Sequence, residues 1–197
     1  ARALATASKG TKVVVRLAGA AAVGKTTLVR RVLAEHRDKI FLLDGETFER
    51  ESLPFVSFDR PVDSLAQVLQ RLGPSGLPVQ VVEDVRALSR MFPVLGSLVP
   101  EGTTAAGGQV GDSRARGAQA FCRLVAWLST QGRLPLLWID SAHWSDRDSA
   151  LLMRTLLSSA LIERLLVILS YRRGDGADSP LLGDLDRLER ARPEVGW

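Results

Sequence analysis

An α/β fold built on a mostly parallel sheet is what the sequence predicts, and three observations predict it. Strand-length apolar runs recur along the chain, amphipathic helical stretches separate them, and a glycine-bearing loop joins the first run directly to the first helix. Runs that are apolar throughout suit strands buried on both faces, and their alternation with helices brings them parallel, with helices covering both sides.

The elements follow in order. "KVVVRLAG" (Lys12–Gly19) is a β-branched run between Gly10 and Gly19 and predicts a buried strand. "TTLVRRVLAEHR" then places Leu28, Val29, Val32 and Leu33 on one side and Arg30, Arg31, Glu35 and Arg37 on the other, an amphipathic helix. "KIFLLD" (39–44) predicts a second strand. Beyond it, Pro54, Pro61, Pro74, Pro78, Pro93 and Pro100 break several short helical patterns. The best helices there are 61–72, which opens on proline where a missing N–H costs nothing, and 80–92. This predicts a helical insertion after the second strand, about 45–114, within a core of about 11–44 and 115–190. The stretch 100–115, "PEGTTAAGGQVGDSRA", predicts a mobile loop.

Helical periodicity resumes over 115–132, with Phe121, Leu124, Val125 and Leu128 on one face and Gly132 as the stop. "LPLLWID" predicts the next strand. Ser145 and Asp148 have the spacing of a capping box, opening a helix whose expected buried face is Leu151, Leu152, Leu156 and Leu157. "RLLVILSYR" (164–172) predicts a final strand.

Composition narrows the function. A chain of 197 residues supports one good core, and 46% hydrophobic with 24% charged residues is a folding composition. The net charge is +4, but the basic residues, 22 of them arginine, are interspersed with acidic ones; that predicts a solvated surface and no direct nucleic-acid binding. Cys122 stands alone, so it forms no internal disulfide or cysteine metal site and fits a reducing compartment. No run reaches membrane-spanning length, and "VVVRLAGAAAV" is interrupted by Arg16 and runs into "GKTT", unlike a signal peptide. A cytoplasmic protein without a membrane partner is expected. With no initial Met and an end at "RARPEVGW" that lacks an obvious closing element, the chain reads as one domain of a longer parent.

"GAAAVGKTT" satisfies G-x-x-x-x-G-K-[ST] between a predicted strand and a predicted helix. Its residues, Gly19, Ala20, Ala21, Ala22, Val23, Gly24, Lys25, Thr26 and Thr27, form the expected nucleotide-binding loop. Glycine lets backbone N–H groups turn onto a phosphate, and the helix N-terminus adds partial positive charge. Lys25 is expected at the β- and γ-phosphates and Thr26 at Mg2+. The spacing does not fit the G-x-G-x-x-G of dinucleotide folds. A three-layer P-loop NTPase fold follows, with a nucleotide and Mg2+ as cofactors.

Such proteins place a second Mg2+ group, an aspartate, at the end of a neighbouring apolar strand, and "LLWID" supplies Asp140. The next position often holds the carboxylate that polarises the attacking water. Here it is Ser141, whose hydroxyl cannot act as a base at neutral pH unaided. Three substitutes are available: His143, Asp146, and Glu46 from the insertion. Asp146 reads better as the start of the next helix, and His143 reads better as a packing or orienting residue beside Trp144 than as the base.

On these residues the chain resembles the STAND class of signal-transduction ATPases, especially the bacterial AAA-type ATPase domains of large LuxR-like regulators and multidomain sensor kinases. Their hhhhD-D-x-[HQ]-W-x-D pattern is matched by "LLWIDSAHWSD" at Asp140, His143, Trp144 and Asp146 and departs from it at Ser141. "VILSYRRGD" resembles the family's sensor strand, which implies that Arg172, or less well Arg173, meets the γ-phosphate. "DGETFERESLPFVSF" and "DSPLLGDLDRL" resemble flanking segments, so the likeness runs from about Val13 to Leu188.

The resemblance implies an ATP/ADP-dependent switch in signalling or transcription regulation, with catalytic candidates Lys25, Asp140, Ser141, His143 and Arg172, and slow hydrolysis because of Ser141. Its partners would be other domains of the parent chain, with a nucleotide-dependent homo-oligomer left open. A small-molecule or nucleotide kinase and a non-catalytic module with bound nucleotide remain as rivals; "RLERAR" makes a poor lid and "DSAHW" a poor acceptor site for the former.

Overall fold

The computed structural model describes residues 2–49, 54–73, 76–99, 110–175, 178–192 and 195–196. Four parallel strands form the sheet: β1 (Lys12–Gly19), β2 (Ile40–Glu46), β3 (Leu134–Asp140) and β4 (Leu165–Arg172), in the order β1-β4-β3-β2. Around them lie α1 (Arg2–Ser8), α2 (Lys25–Ala34), α3 (Asp59–Leu72), α4 (Val79–Ser89), α5 (Val110–Thr130), α6 (Arg147–Ser158) and α7 (Pro180–Ala191). The fold is the α/β architecture of a P-loop NTPase.

Alternation along each strand makes two apolar layers. Leu136, Trp138, Leu166 and Ile168 meet Val29 and Leu33 of α2 on one face. Leu137, Ile139, Val167 and Leu169 join the larger core built by α3 to α7 on the other. Burial on both faces explains why β3 and β4 read as unbroken apolar runs. Among the described residues no helix is long and apolar enough to cross a membrane.

Several sequence expectations shift. α1, for which the sequence raised no expectation, sets Ala3, Leu4 and the fully buried Ala7 against the sheet. The predicted loop 100–115 lies outside the described residues up to 109; from Val110 the chain is already α5, where Arg114 pairs with Asp148 at 3.1 Å and lies over the Phe55 ring, tying the early turns to α6. The expected capping box moves by one residue. Asp146 is the N-cap of α6, accepting from the Ser149 N–H; of the expected face Leu152, Leu156 and Leu157 are buried, joined by Ser149, Ala150 and Met153. Leu151 is thereby turned out, at 47% exposure. Leu28 is likewise 55% exposed, overhanging the groove between α2 and the sheet. Near the end of the chain Val195 is buried and Gly196 bridges in parallel to Val13, extending the β1 edge.

Candidate functional site

Functional groups gather where the strands end. β1 stops at Gly19, the loop follows, and α2 starts at Lys25 with Gly24 as its N-cap in the left-handed region, φ 91°. That conformation suits glycine, because a Cβ there meets its own backbone. No side chain caps α2, so its leading N–H groups remain available to a phosphate, with the favourable end of the helix dipole behind them. The loop borders a cleft of about 780 Å³ whose lining includes Gly19, Val23, Lys25, Leu28 and Arg173. Lys25 folds back on the loop, donating to the Gly19 and Ala20 carbonyls at 3.1 and 2.7 Å.

Strand order then explains the second half. β3 lies two places from β1, with β4 between, so Asp140 reaches the helix that follows the loop. The Thr26 hydroxyl donates to Asp140 Oδ2 at 2.5 Å; Ser170 of β4 donates to Oδ1 at 2.6 Å, and the Ser141 N–H adds a third bond at 3.0 Å. Trp138 Nε1 in turn donates to Ser170 at 3.0 Å, fixing that hydroxyl from the same face of the sheet. Asp140 is buried, and burial of a carboxylate is tolerable here because three donors face it.

A hydroxyl and a carboxylate held together are hard oxygen donors of the kind Mg2+ prefers. The pair therefore fits that ion: Thr26 and Asp140 would hold it, and its charge would offset that of the phosphates. Among the described residues no group of three or more His, Cys, Asp or Glu could hold a metal.

Ser141 occupies the left-handed region at φ 56° and opens the short 3-10 turn Ala142–Trp144. His143 follows, its side chain 5% exposed and its ring 4.8 Å from that of Trp144. Neither ring nitrogen has a hydrogen-bond partner among the described residues; Asp175 stands 3.9 Å from Nε2. Burial pushes the imidazole below its ordinary pKa, with the positive charges of Arg172 and Lys25 acting in the same direction, against Asp175 and Asp140. His143 is thus held neutral close to the loop lysine and the strand-end arginine.

Arg172 ends β4 in register with Gly19 and is half exposed, paired with Asp175 at 3.3 Å. Arg173 lines the cleft, and its N–H donates to the Gly19 carbonyl at 3.1 Å. Asp146 is fully engaged elsewhere: it accepts from the Phe55, Val56 and Ser149 N–H groups at 3.1, 3.0 and 2.9 Å and from the Ser149 hydroxyl.

Lys25, Thr26, Asp140, Ser141, His143 and Arg172 therefore converge, and Asp146 stands apart as a structural carboxylate. Two residues of this centre, Ser170 and Asp175, were not singled out by sequence. Ser170 carried a signal, being a polar residue within an otherwise apolar strand.

Fold and site together define a nucleotide-binding P-loop protein. A family model described as AAA ATPase domain matches residues 1–168, and the chain belongs to that family. Comparison with curated proteins finds no match.

Proposed function

We propose that the chain is the ATP-binding switch domain of a STAND-type signalling or transcription regulator, holding Mg·ATP and hydrolysing it slowly. The observation that carries this reading is the 2.5 Å contact between Thr26 and Asp140, which joins the two metal-side groups across most of the chain while Lys25 stands on the same loop. Gly19 to Thr27 would cradle the phosphates, with Lys25 exchanging its two carbonyl partners for phosphate oxygens. Arg172 would leave Asp175 for the γ-phosphate and return on its loss, so nucleotide state would decide which partner the guanidinium takes. His143, neutral and without a hydrogen-bond partner among the described residues, would position ligand or water as a donor or acceptor. Ser141 offers no carboxylate, in keeping with a timer rather than a fast enzyme.

Titration calorimetry with Mg·ATP, run beside a phosphate-release assay, tests the reading. The wild type is expected to bind ATP and release phosphate slowly, while Lys25→Ala weakens binding roughly 100-fold or more through loss of charge-assisted bonds. Phosphate appearing on an acceptor in place of free phosphate would turn the assignment to a kinase. Absence of binding by the wild type would overturn the site itself.

A further inference from the structure

We infer that Glu46, at the end of β2, supplies the water-activating carboxylate that Ser141 does not. The inference rests on the hydrolytic reading above and goes beyond it by naming the residue. β2 and β3 run parallel with Glu46 in register with Asp140, and paired residues of a parallel ladder point to the same face about 4.8 Å apart. The neighbours of Glu46 fix which face that is. Gly45 lies against Pro61 so closely that an added Cβ would stand 2.5 Å from its Cδ, and the buried Thr47 hydroxyl meets Ser57 at 3.2 Å. Both belong to the side covered by α3. Alternation therefore sends Glu46 to the opposite face, where Asp140 receives Thr26.

Register is held to the strand's last residue, since the Thr47 N–H still donates to the Asp140 carbonyl at 3.0 Å. Along the strand ends on this face stand Glu46, Asp140 and Arg172, with the loop beyond them. Glu46 is half-buried and has no hydrogen bond or ion pair among the described residues. The rival carboxylates are engaged: Asp146 accepts four bonds at the start of α6, Asp175 holds Arg172, and Asp148 holds Arg114.

In the reaction, a water oxygen bonds to the γ-phosphorus as the bond to the β–γ bridging oxygen breaks. ADP leaves with that electron pair, and the water's proton passes to the Glu46 carboxylate and from there to solvent or the departing phosphate.

Glu46→Gln keeps the size of the side chain and removes its basicity. Phosphate release is expected to fall about 100-fold or more, the range for loss of a general base, with Mg·ATP affinity within about threefold of wild type. Nucleotide extracted from the gel-filtered variant after incubation is expected to be ATP, where the wild type yields ADP. Unchanged turnover in Glu46→Gln overturns the inference, as does an affinity loss that accounts for the whole fall in rate. A wild type that binds Mg·ATP without hydrolysing it overturns Glu46 and leaves the binding site standing; a wild type that binds nothing removes both.

Discussion

Asp140 and Asp146 stand at the two ends of one short connection, and their surroundings assign them opposite work. Asp140, ending β3, is bound by two side-chain hydroxyls and one N–H, and the hydroxyls can turn away to leave its oxygens to a cation under the proposed function. Asp146, starting α6, is bound by three backbone N–H groups and one hydroxyl, and two of the N–H groups belong to Phe55 and Val56, 91 and 90 residues earlier in the chain. Backbone amides cannot swing away as a threonine side chain can. One carboxylate is exchangeable and the other is a rivet.

Substitutions sharpen the contrast. The largest effect is expected at the rivet. Asp146→Ala removes an N-cap and leaves two loop N–H groups without an acceptor, a loss of about 3 kcal/mol, read as a fall of about 10 °C in Tm for a domain of this size. Nucleotide affinity of the remaining folded protein should hold, and an unchanged Tm would make the two carboxylates alike.

At the exchangeable position the pattern reverses. Asp140→Asn is expected to lower Mg·ATP affinity about 100-fold and to abolish its dependence on Mg2+ in calorimetry, with stability altered by less than about 1 kcal/mol, since the amide oxygen still accepts from Ser170 and the Ser141 N–H while its NH2 can donate to the Thr26 hydroxyl.

The smallest effect concerns His143, between them. Its pKa in the fold lies below the unfolded value of about 6.5, so in the interval between the two the unfolded chain holds more protons. This contribution is fully present above the unfolded pKa and is lost as pH falls through that interval toward the folded value. Chemical denaturation at about pH 7.5 and about pH 5.5 should show His143→Gln losing less stability on acidification than the wild type, and equal losses would place the acid response on other groups. Asp175, Arg172, Lys25 and Asp140 set the field that this measurement reads.

The sequence made the outline legible because its signals were local. An apolar run, a glycine turn and a lysine followed by threonine lie within one stretch, and "LLWID" ends in its aspartate. What stayed hidden depended on partners far along the chain. Leu28 and Leu151 fit helical stripes, yet each faces outward once the sheet is in place. Asp146 reads locally as the start of a helix, but its tie to Phe55 and Val56 shows only in the fold, and Glu46 acquires its meaning from register with a strand formed much later in the chain. α1 escapes notice because its seven residues are too few for the periodicity of Ala3, Leu4 and Ala7 to stand out.

The carbonyl of Gly19 accepts from both Lys25 Nζ and the Arg173 N–H. An oxygen with two lone pairs can keep one donor when the other departs. A nucleotide that draws Lys25 away leaves this carbonyl satisfied by Arg173, and a nucleotide that dissociates leaves the ammonium a berth already shaped for it. Arrival and loss of a nucleotide at this loop would therefore leave neither the carbonyl nor the ammonium without a partner.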